Sequence, residues 1–187
     1  MKVILFDFFG VISTPVYMQV IRKFVPAEGQ AKWVRALDEL DLGDLPEAKL
    51  QEGISAETQV PVASIRDVAS HAPEVDQELL EYIRELKSRF AVGLLTNIPR
   101  TLLEDILKDD LALFDPAIIS SDVHLVKPDP RIFELAIARA GCDPSDILFI
   151  DDSERNIEIA AQCGMIAVRY EGLGALEKTI EALAPAP

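Results

Sequence analysis

Cysteine, histidine, aromatic residues and positive charge are all scarce in this chain. Two cysteines, Cys142 and Cys163, occur in 187 residues. They are too few for a disulfide framework and too far apart for a close metal pair, so a reducing compartment is expected. Lysine and arginine total 18 against 32 acidic residues, a net charge of −14. Such a chain repels polyanions, which argues against a nucleic-acid partner. A small phosphorylated molecule would be repelled too, unless its site held positive charge of its own. That condition points to a metal cation together with a few local bases such as Lys127. No apolar run approaches the ~20 residues of a membrane span, so no membrane partner is expected. Lys2 and the apolar stretch after it imitate a signal peptide. Asp7 interrupts that stretch and no small-residue cleavage site follows, so the expected location is cytoplasmic. Internal repeats and low-complexity tracts are absent.

What is present is an ordinary globular composition, 49% apolar. The length suits one domain, or one domain carrying an insertion. The most informative residue is Asp7. It ends the run Val3-Ile4-Leu5-Phe6 and precedes Phe8-Phe9-Gly10-Val11. A carboxylate at the end of a buried strand is costly without a use, and open α/β sheets bind ligands beyond the C-terminal ends of their strands. Two more polar clusters follow apolar runs in this way: Thr96-Asn97 after residues 91–95, and Asp151-Asp152 after residues 147–150. Lys127 lies between them in Val126-Lys127-Pro128-Asp129-Pro130. Together they read as one phosphate- and metal-handling site on the rims of several strands. Asp151 and Asp152 would raise each other's pKa if both stood unpaired near Asp7, which is itself an argument for a divalent cation.

Strands are predicted at 2–7, 91–95, 117–119, 147–150 and 165–169. Helices are predicted from Asp76 to about Arg89, Pro99 to about Leu107, Pro130 to Ala140, Glu154 to Gln162, and about Ala175 to Leu183. Alternating strands and helices imply a right-handed, doubly wound parallel sheet, an α/β fold. Residues 14–75 differ. They carry many charges and turn formers, with apolar residues at helical spacing in Val16, Val20 and Phe24, and in Trp33, Leu37 and Leu40. They read as short helices inserted at the rim of the site, where an insertion can act as a lid. The expected division is a core of 1–13 and 76–187 with an all-helical insertion over 14–75. Tyr17, Trp33 and Phe24 are read as core of that insertion rather than pocket lining. The Pro-Ala-Pro tail is expected to fray. Of the two histidines, His124 lies closer to Lys127 and is the better functional candidate.

The four motifs, Asp7-Phe8-Phe9-Gly10-Val11, Leu95-Thr96-Asn97, Lys127-Pro128-Asp129-Pro130-Arg131-Ile132-Phe133 and Asp151-Asp152-Ser153-Glu154-Arg155-Asn156, resemble those of the haloacid dehalogenase-like (HAD) superfamily in kind and order. Each alone is weak and the set is strong. The resemblance covers essentially the whole chain. It implies a Rossmann-like core, a helical cap after the first motif, magnesium, and Asp7 as a nucleophile forming an aspartyl-phosphate. It also implies roles for the other residues. Thr96, through its hydroxyl, and Asn97, through its backbone N–H, would bind phosphate. Lys127 would neutralise Asp7 and the transferred group. The second carboxylate oxygen of Asp7, the carbonyl of Phe9 and Asp152 would hold magnesium, with Asp151 acting through water or through the groups around the ion. By spacing alone, Asn156 sits one helical turn after Asp152 and would support the same water shell.

The chain departs from the family at Phe9. HAD phosphatases usually have a second aspartate there, which protonates the leaving oxygen and then activates water. Losing a general acid–base group costs ~10²–10⁴ in rate. Three readings follow, in order. The first is a phosphatase for a small phosphorylated metabolite that uses a good leaving group or borrows an acid from Glu28, Asp38, Asp41 or Asp44. The second is a phosphate-binding or regulatory protein with little turnover. The third is a metal-independent 2-haloacid dehalogenase, which needs no leaving-group proton but does need an arginine such as Arg22 or Arg35 for the substrate carboxylate. The acidic pair counts against the third.

Overall fold

A computed structural model describes residues 1–71 and 73–183. The predicted Pro-Ala-Pro tail lies outside the described residues. Five strands form one parallel sheet in the order β3-β2-β1-β4-β5: β1 (Val3–Phe6), β2 (Ala91–Thr96), β3 (Ala117–Ile119), β4 (Ile147–Asp151) and β5 (Ile166–Arg169). The chain thus leaves β1 towards β2 and β3 on one side and returns to β4 and β5 on the other. That reversal of winding is where open α/β sheets leave a crevice. Register carries the motifs to it. Phe6 pairs with Leu94 on one side and Ile150 on the other, so Asp7, Thr96 and Asp151 all come to the same rim.

The uninterrupted apolar run of β1 is explained by its burial on both faces. Ile4 and Phe6 pack with Leu79, Ile83, Leu103 and Ile180, from α5 (Gln77–Leu86), α6 (Arg100–Leu107) and α10 (Leu173–Leu183). Val3 and Leu5 pack on the opposite face with Ile132, Phe133 and Ala160, from α8 (Pro130–Ala140) and α9 (Glu154–Gln162). Side chains alternate along a strand, so a strand buried on both faces needs apolar residues at every position. Fully burying one such side chain contributes about 1.5–3 kcal/mol.

Most predicted helices begin and end at their sequence signals. Asp76 caps α5 by accepting from Leu79 N at 2.9 Å, and Asp129 caps α8 by accepting from Arg131 N at 2.9 Å. Helix α5 ends at Leu86 rather than near Arg89, because the Arg89 and Phe90 amides turn back onto the Leu86 carbonyl before β2 begins.

Residues 14–75 contain α1 (Val16–Phe24), α2 (Ala27–Leu42), α3 (Glu47–Thr58) and α4 (Val62–His71). Their buried faces form a separate cluster that includes Val20, Ile21, Trp33, Leu40, Leu50 and Ile54. Phe9, Leu102 and Ile106 from outside the segment also pack against it. The chain enters and leaves this segment through adjacent backbone. Asp76 N donates to Ile12 O at 2.8 Å and Glu74 N donates to Thr14 Oγ1 at 3.1 Å. Near the opposite end of the cluster, α2 lies against α7 (Ser120–Val123), a short helix after β3. Among the described residues no helix is long and apolar enough to cross a membrane.

Candidate active site

The turn after β1 is closed by backbone hydrogen bonds from Ile12 N and Ser13 N to Phe8 O and from Gly10 N to Ser13 O. Gly10 sits at φ +87, which L residues avoid. A Cβ there would lie 2.3 Å from a carboxylate oxygen of Asp152, so glycine is what lets the β1 and β4 turns meet.

Lys127 is the hub of the site. It is 5% exposed, and its Nζ lies 2.8 Å from Asp7 Oδ1 and 2.6 Å from Asp151 Oδ2. Burial opposes the ammonium charge, but the two carboxylates outweigh it and the Lys127 pKa is raised. Burial is also the main influence on Asp7 and pushes its pKa up, with Asp151 adding to the effect and Lys127 opposing it. Phe8 N donates to Asp7 Oδ1 at 2.7 Å. Asp151 is fully buried and heavily coordinated. Its Oδ1 accepts from Ser153 N at 2.8 Å, and Asn156 Nδ2 lies 3.0 Å from both oxygens. Asp152 stays at the surface, its pKa raised by partial burial and by the charge of Asp151.

Oxygens of Asp7, Asp151 and Asp152 lie within 4.8 Å of one another. Three carboxylates face one ammonium, and the donors are hard oxygens of the kind magnesium prefers. The residues therefore fit a divalent cation.

The second motif lies at the end of β2, and Asn97 lines the cavity described below. Thr96 is 0% exposed, and its Oγ1 has no hydrogen-bond partner. It lies at the same rim without lining the cavity described below. The Asn97 side chain grips the Lys127 backbone: Nδ2 donates to Lys127 O at 2.9 Å, and Oδ1 accepts from Lys127 N at 2.8 Å. Asn97 thus fixes the height of the Lys127 loop above the sheet. His124 is exposed, lies 3.9 Å from Asp44 and does not line the cavity, although it is near Lys127 in sequence.

A cavity of about 200 Å³ opens over these groups. Asp7, Phe9, Asn97, Lys127 and Asn156 form its inner wall, while Tyr17, Met18, Leu37, Leu40 and Asp41 close it from the helical segment. Arg22 and Arg35 are exposed and line none of it. Tyr17 and Trp33 are both buried in the helical cluster as expected, and Tyr17 in addition lines the cavity. The Tyr17 hydroxyl donates to Glu47 Oε1 at 2.5 Å and accepts from Gln51 Nε2 at 2.9 Å. No sequence signal marks this network, because its three residues meet only when α1 packs on α3.

Asp7 at the end of β1, the acidic pair at the end of the neighbouring β4, and Lys127 reaching both from the loop before α8 make an arrangement of the HAD type. The family model for haloacid dehalogenase-like hydrolases matches residues 1–164, and the chain belongs to that family. Among curated proteins it is similar to acyl-CoA dehydrogenase family member 10 of Mus musculus, 27% identical over 176 residues, covering 88% of this chain and 16% of that protein. It is similar to (S)-2-haloacid dehalogenase 4A of Burkholderia cepacia, 29% identical over 50% of this chain and 42% of that protein. It is also similar to N-acetylmuramic acid 6-phosphate phosphatase of Pseudomonas aeruginosa, 25% identical over 91% of this chain and 82% of that protein. The chain therefore spans less than half the length of the first two. Among solved structures, a HAD family enzyme of Bacteroides thetaiotaomicron in complex with magnesium and inorganic phosphate superposes with a TM-score of 0.76 at 23% identity, covering 94% of this chain and 98% of that one.

Proposed function

We propose that this chain is a magnesium-dependent phosphatase acting on a small phosphorylated metabolite through an aspartyl-phosphate on Asp7. The observation that carries the reading is the convergence of Asp7, Lys127, Asp151 and Asp152 beneath a cavity of about 200 Å³. The phosphatase relative supports the substrate class, and the magnesium and phosphate of the solved structure support the metal. The haloacid dehalogenase relative keeps the third reading in view, but no arginine lines the cavity to receive a substrate carboxylate.

Each residue has a physical task. Asp7 attacks phosphorus. Both described hydrogen bonds to its carboxylate fall on Oδ1, from Lys127 and from Phe8 N, so the side chain is held in one rotamer. Lys127 offsets the repulsion between Asp7 and an incoming phosphate, and Asp151 with Asn156 keeps Lys127 in place. Thr96 fits an anion site because its buried hydroxyl lacks a partner, a state that costs about 1–3 kcal/mol until one is supplied. Asp7, the Phe9 carbonyl and Asp152 would hold magnesium. When bound, the ion stabilises negative charge on the transferring phosphoryl group. Residues 14–75 serve as the cap on a core of 1–13 and 76–187, supported by their own apolar cluster and their wall of the cavity.

Phe9 favours one second reading, a phosphate-binding protein with little turnover, because phenylalanine cannot shuttle a proton. The test is hydrolysis of p-nitrophenyl phosphate and a sugar phosphate, with and without magnesium. The expected result is magnesium-dependent turnover abolished by Asp7→Asn. Tight phosphate and magnesium binding with no turnover would establish the second reading instead. Chloride release from 2-chloropropionate that survives a chelator would establish dehalogenation.

A further inference from the structure

Four titratable side chains line the cavity: Asp7, Tyr17, Asp41 and Lys127. Asp7 is the proposed nucleophile. Lys127 is locked between two carboxylates that hold its proton. The Tyr17 hydroxyl is committed to Glu47, and burial pushes its pKa further up. Asp41 alone is left to exchange a proton. The other carboxyls weighed for that task, Glu28, Asp38 and Asp44, are exposed and do not line the cavity.

Asp41 is also held in register with the core. It occupies the last turn of α2, which Gly43 stops at φ +82 with its Cα side against Ser121. Ser120 Oγ donates to Asp41 O at 2.5 Å and accepts from Ile98 N at 2.9 Å. Ile98 follows Asn97, whose side chain grips the Lys127 backbone. Hydrogen bonds through Ser120, together with the peptide link from Ile98 to Asn97, thus tie the Asp41 backbone to the loop that carries Lys127.

Resting on the phosphatase reading above, we infer that Asp41 supplies the proton transfer that Phe9 cannot, as general acid for the leaving oxygen and then general base for the hydrolytic water. Asp7 forms a bond to phosphorus while the bond from phosphorus to the ester oxygen breaks, and the Asp41 proton passes to that oxygen to release an alcohol. Asp41, now a carboxylate, takes a proton from water as the water oxygen attacks phosphorus. The bond from phosphorus to Asp7 breaks, inorganic phosphate leaves, and both carboxyls return to their starting states. The electrostatics agree. Burial first, then the charges of Asp38 and Asp7, push the Asp41 carboxyl up to about 7, against the pull of Lys127. A permanently ionised carboxylate facing this cavity would repel phosphate. One that holds a proton near neutral pH can donate it.

The test compares p-nitrophenyl phosphate with phenyl phosphate, whose leaving oxygen is far more basic, on the full chain with magnesium. Asp41→Asn should lower kcat for phenyl phosphate by roughly 10²-fold or more and for p-nitrophenyl phosphate by less than about tenfold. Glu28→Gln, at an exposed position in the first turn of the same helix and away from the cavity, should change neither. Equal losses on both substrates, or none, in a variant with native circular dichroism would overturn the assignment and leave the phosphatase reading standing. A wild-type chain inert towards both substrates would overturn the two together. A series of aryl phosphates on the wild-type chain gives a readout that needs no variant. Weak dependence of kcat/KM on leaving-group basicity is expected, and steep dependence would overturn the role of Asp41.

Discussion

The two walls of the cavity are built on opposite plans. On the core side, Lys127, Asp7, Asp151, Asn156 and Asn97 satisfy one another at 2.6–3.0 Å. On the cap side, Met18, Leu37 and Leu40 present apolar surface, with Asp41 as the one carboxyl among them. The core wall is a preorganised charge cluster in which removing Lys127 leaves two buried carboxylates without their cation. The cap wall is a packed surface that accepts change more readily. On the function proposed above, the reaction type would belong to the sheet, and substrate choice and proton transfer to the helical segment.

The sharpest way to break this contrast is Asp7→Asn. If the core wall carries the chemistry, turnover should fall roughly 10⁴-fold or more and phosphoenzyme should no longer accumulate in acid-quenched reactions. Retained turnover would move the nucleophile elsewhere. Next is Lys127→Ala, which leaves Asp7 and Asp151 buried without their cation. It should destabilise the metal-free chain by about 3–5 kcal/mol in urea denaturation. A change within 1 kcal/mol would mean the cluster is not held as a unit.

Gly10→Ala should cost the fold about 1–2 kcal/mol through its φ of +87, and should act on the metal as well. The added methyl displaces Asp152, and magnesium affinity measured by calorimetry should fall about 10–100-fold. Phe9→Asp probes the boundary between the walls, since Phe9 touches both the core and the cap clusters. If Phe9 only replaces a missing acid, turnover of poor leaving groups rises. A loss with intact folding would show that the ring shapes the cavity.

The smallest expected effect is the pH dependence of stability. Folded Asp41 binds its proton more tightly than the unfolded chain does. Between its ordinary 3.8 and about 7 the native state therefore holds more protons, and stability declines as pH rises through that window. Asp38, Asp7 and Lys127 set this shift together with burial. Asp41→Asn removes the dependence, so the variant should gain on the wild type in thermal melts at pH 8 and show no such gain at pH 4. An identical difference at both pH values would contradict the shifted carboxyl.

Much of the core could be read from local pattern. A strand buried on both faces must be apolar throughout, and this marks β1 and β4 and therefore places Asp7 and Asp151 at their ends. Capping by Asp76 and Asp129 and the stop at Gly141 are encoded within a few residues of where they act. The cap was legible only as helical. Its residues meet the site through contacts across long sequence separations, such as Ser120 with Asp41 and Tyr17 with Glu47. Asp41, Glu28, Asp38 and Asp44 are equivalent as letters in a charged, turn-rich segment. Thr96 and Asn97 show the same limit within the core. Their position at the rim followed from β2, but the engagement of the Asn97 amide with Lys127 depends on how a distant loop folds over it.

By itself, then, the sequence determined the sheet, its buried faces and the strand ends that carry the acidic and basic groups, because short-range periodicity and burial fix those directly. Tertiary structure alone decided which carboxyl of the helical segment lines the cavity with Asp7, how Lys127 is clamped, and that Asp152 fits against Gly10. Those outcomes depend on packing between elements far apart in the chain, where a shift of one helical turn would present a different residue to the same cavity.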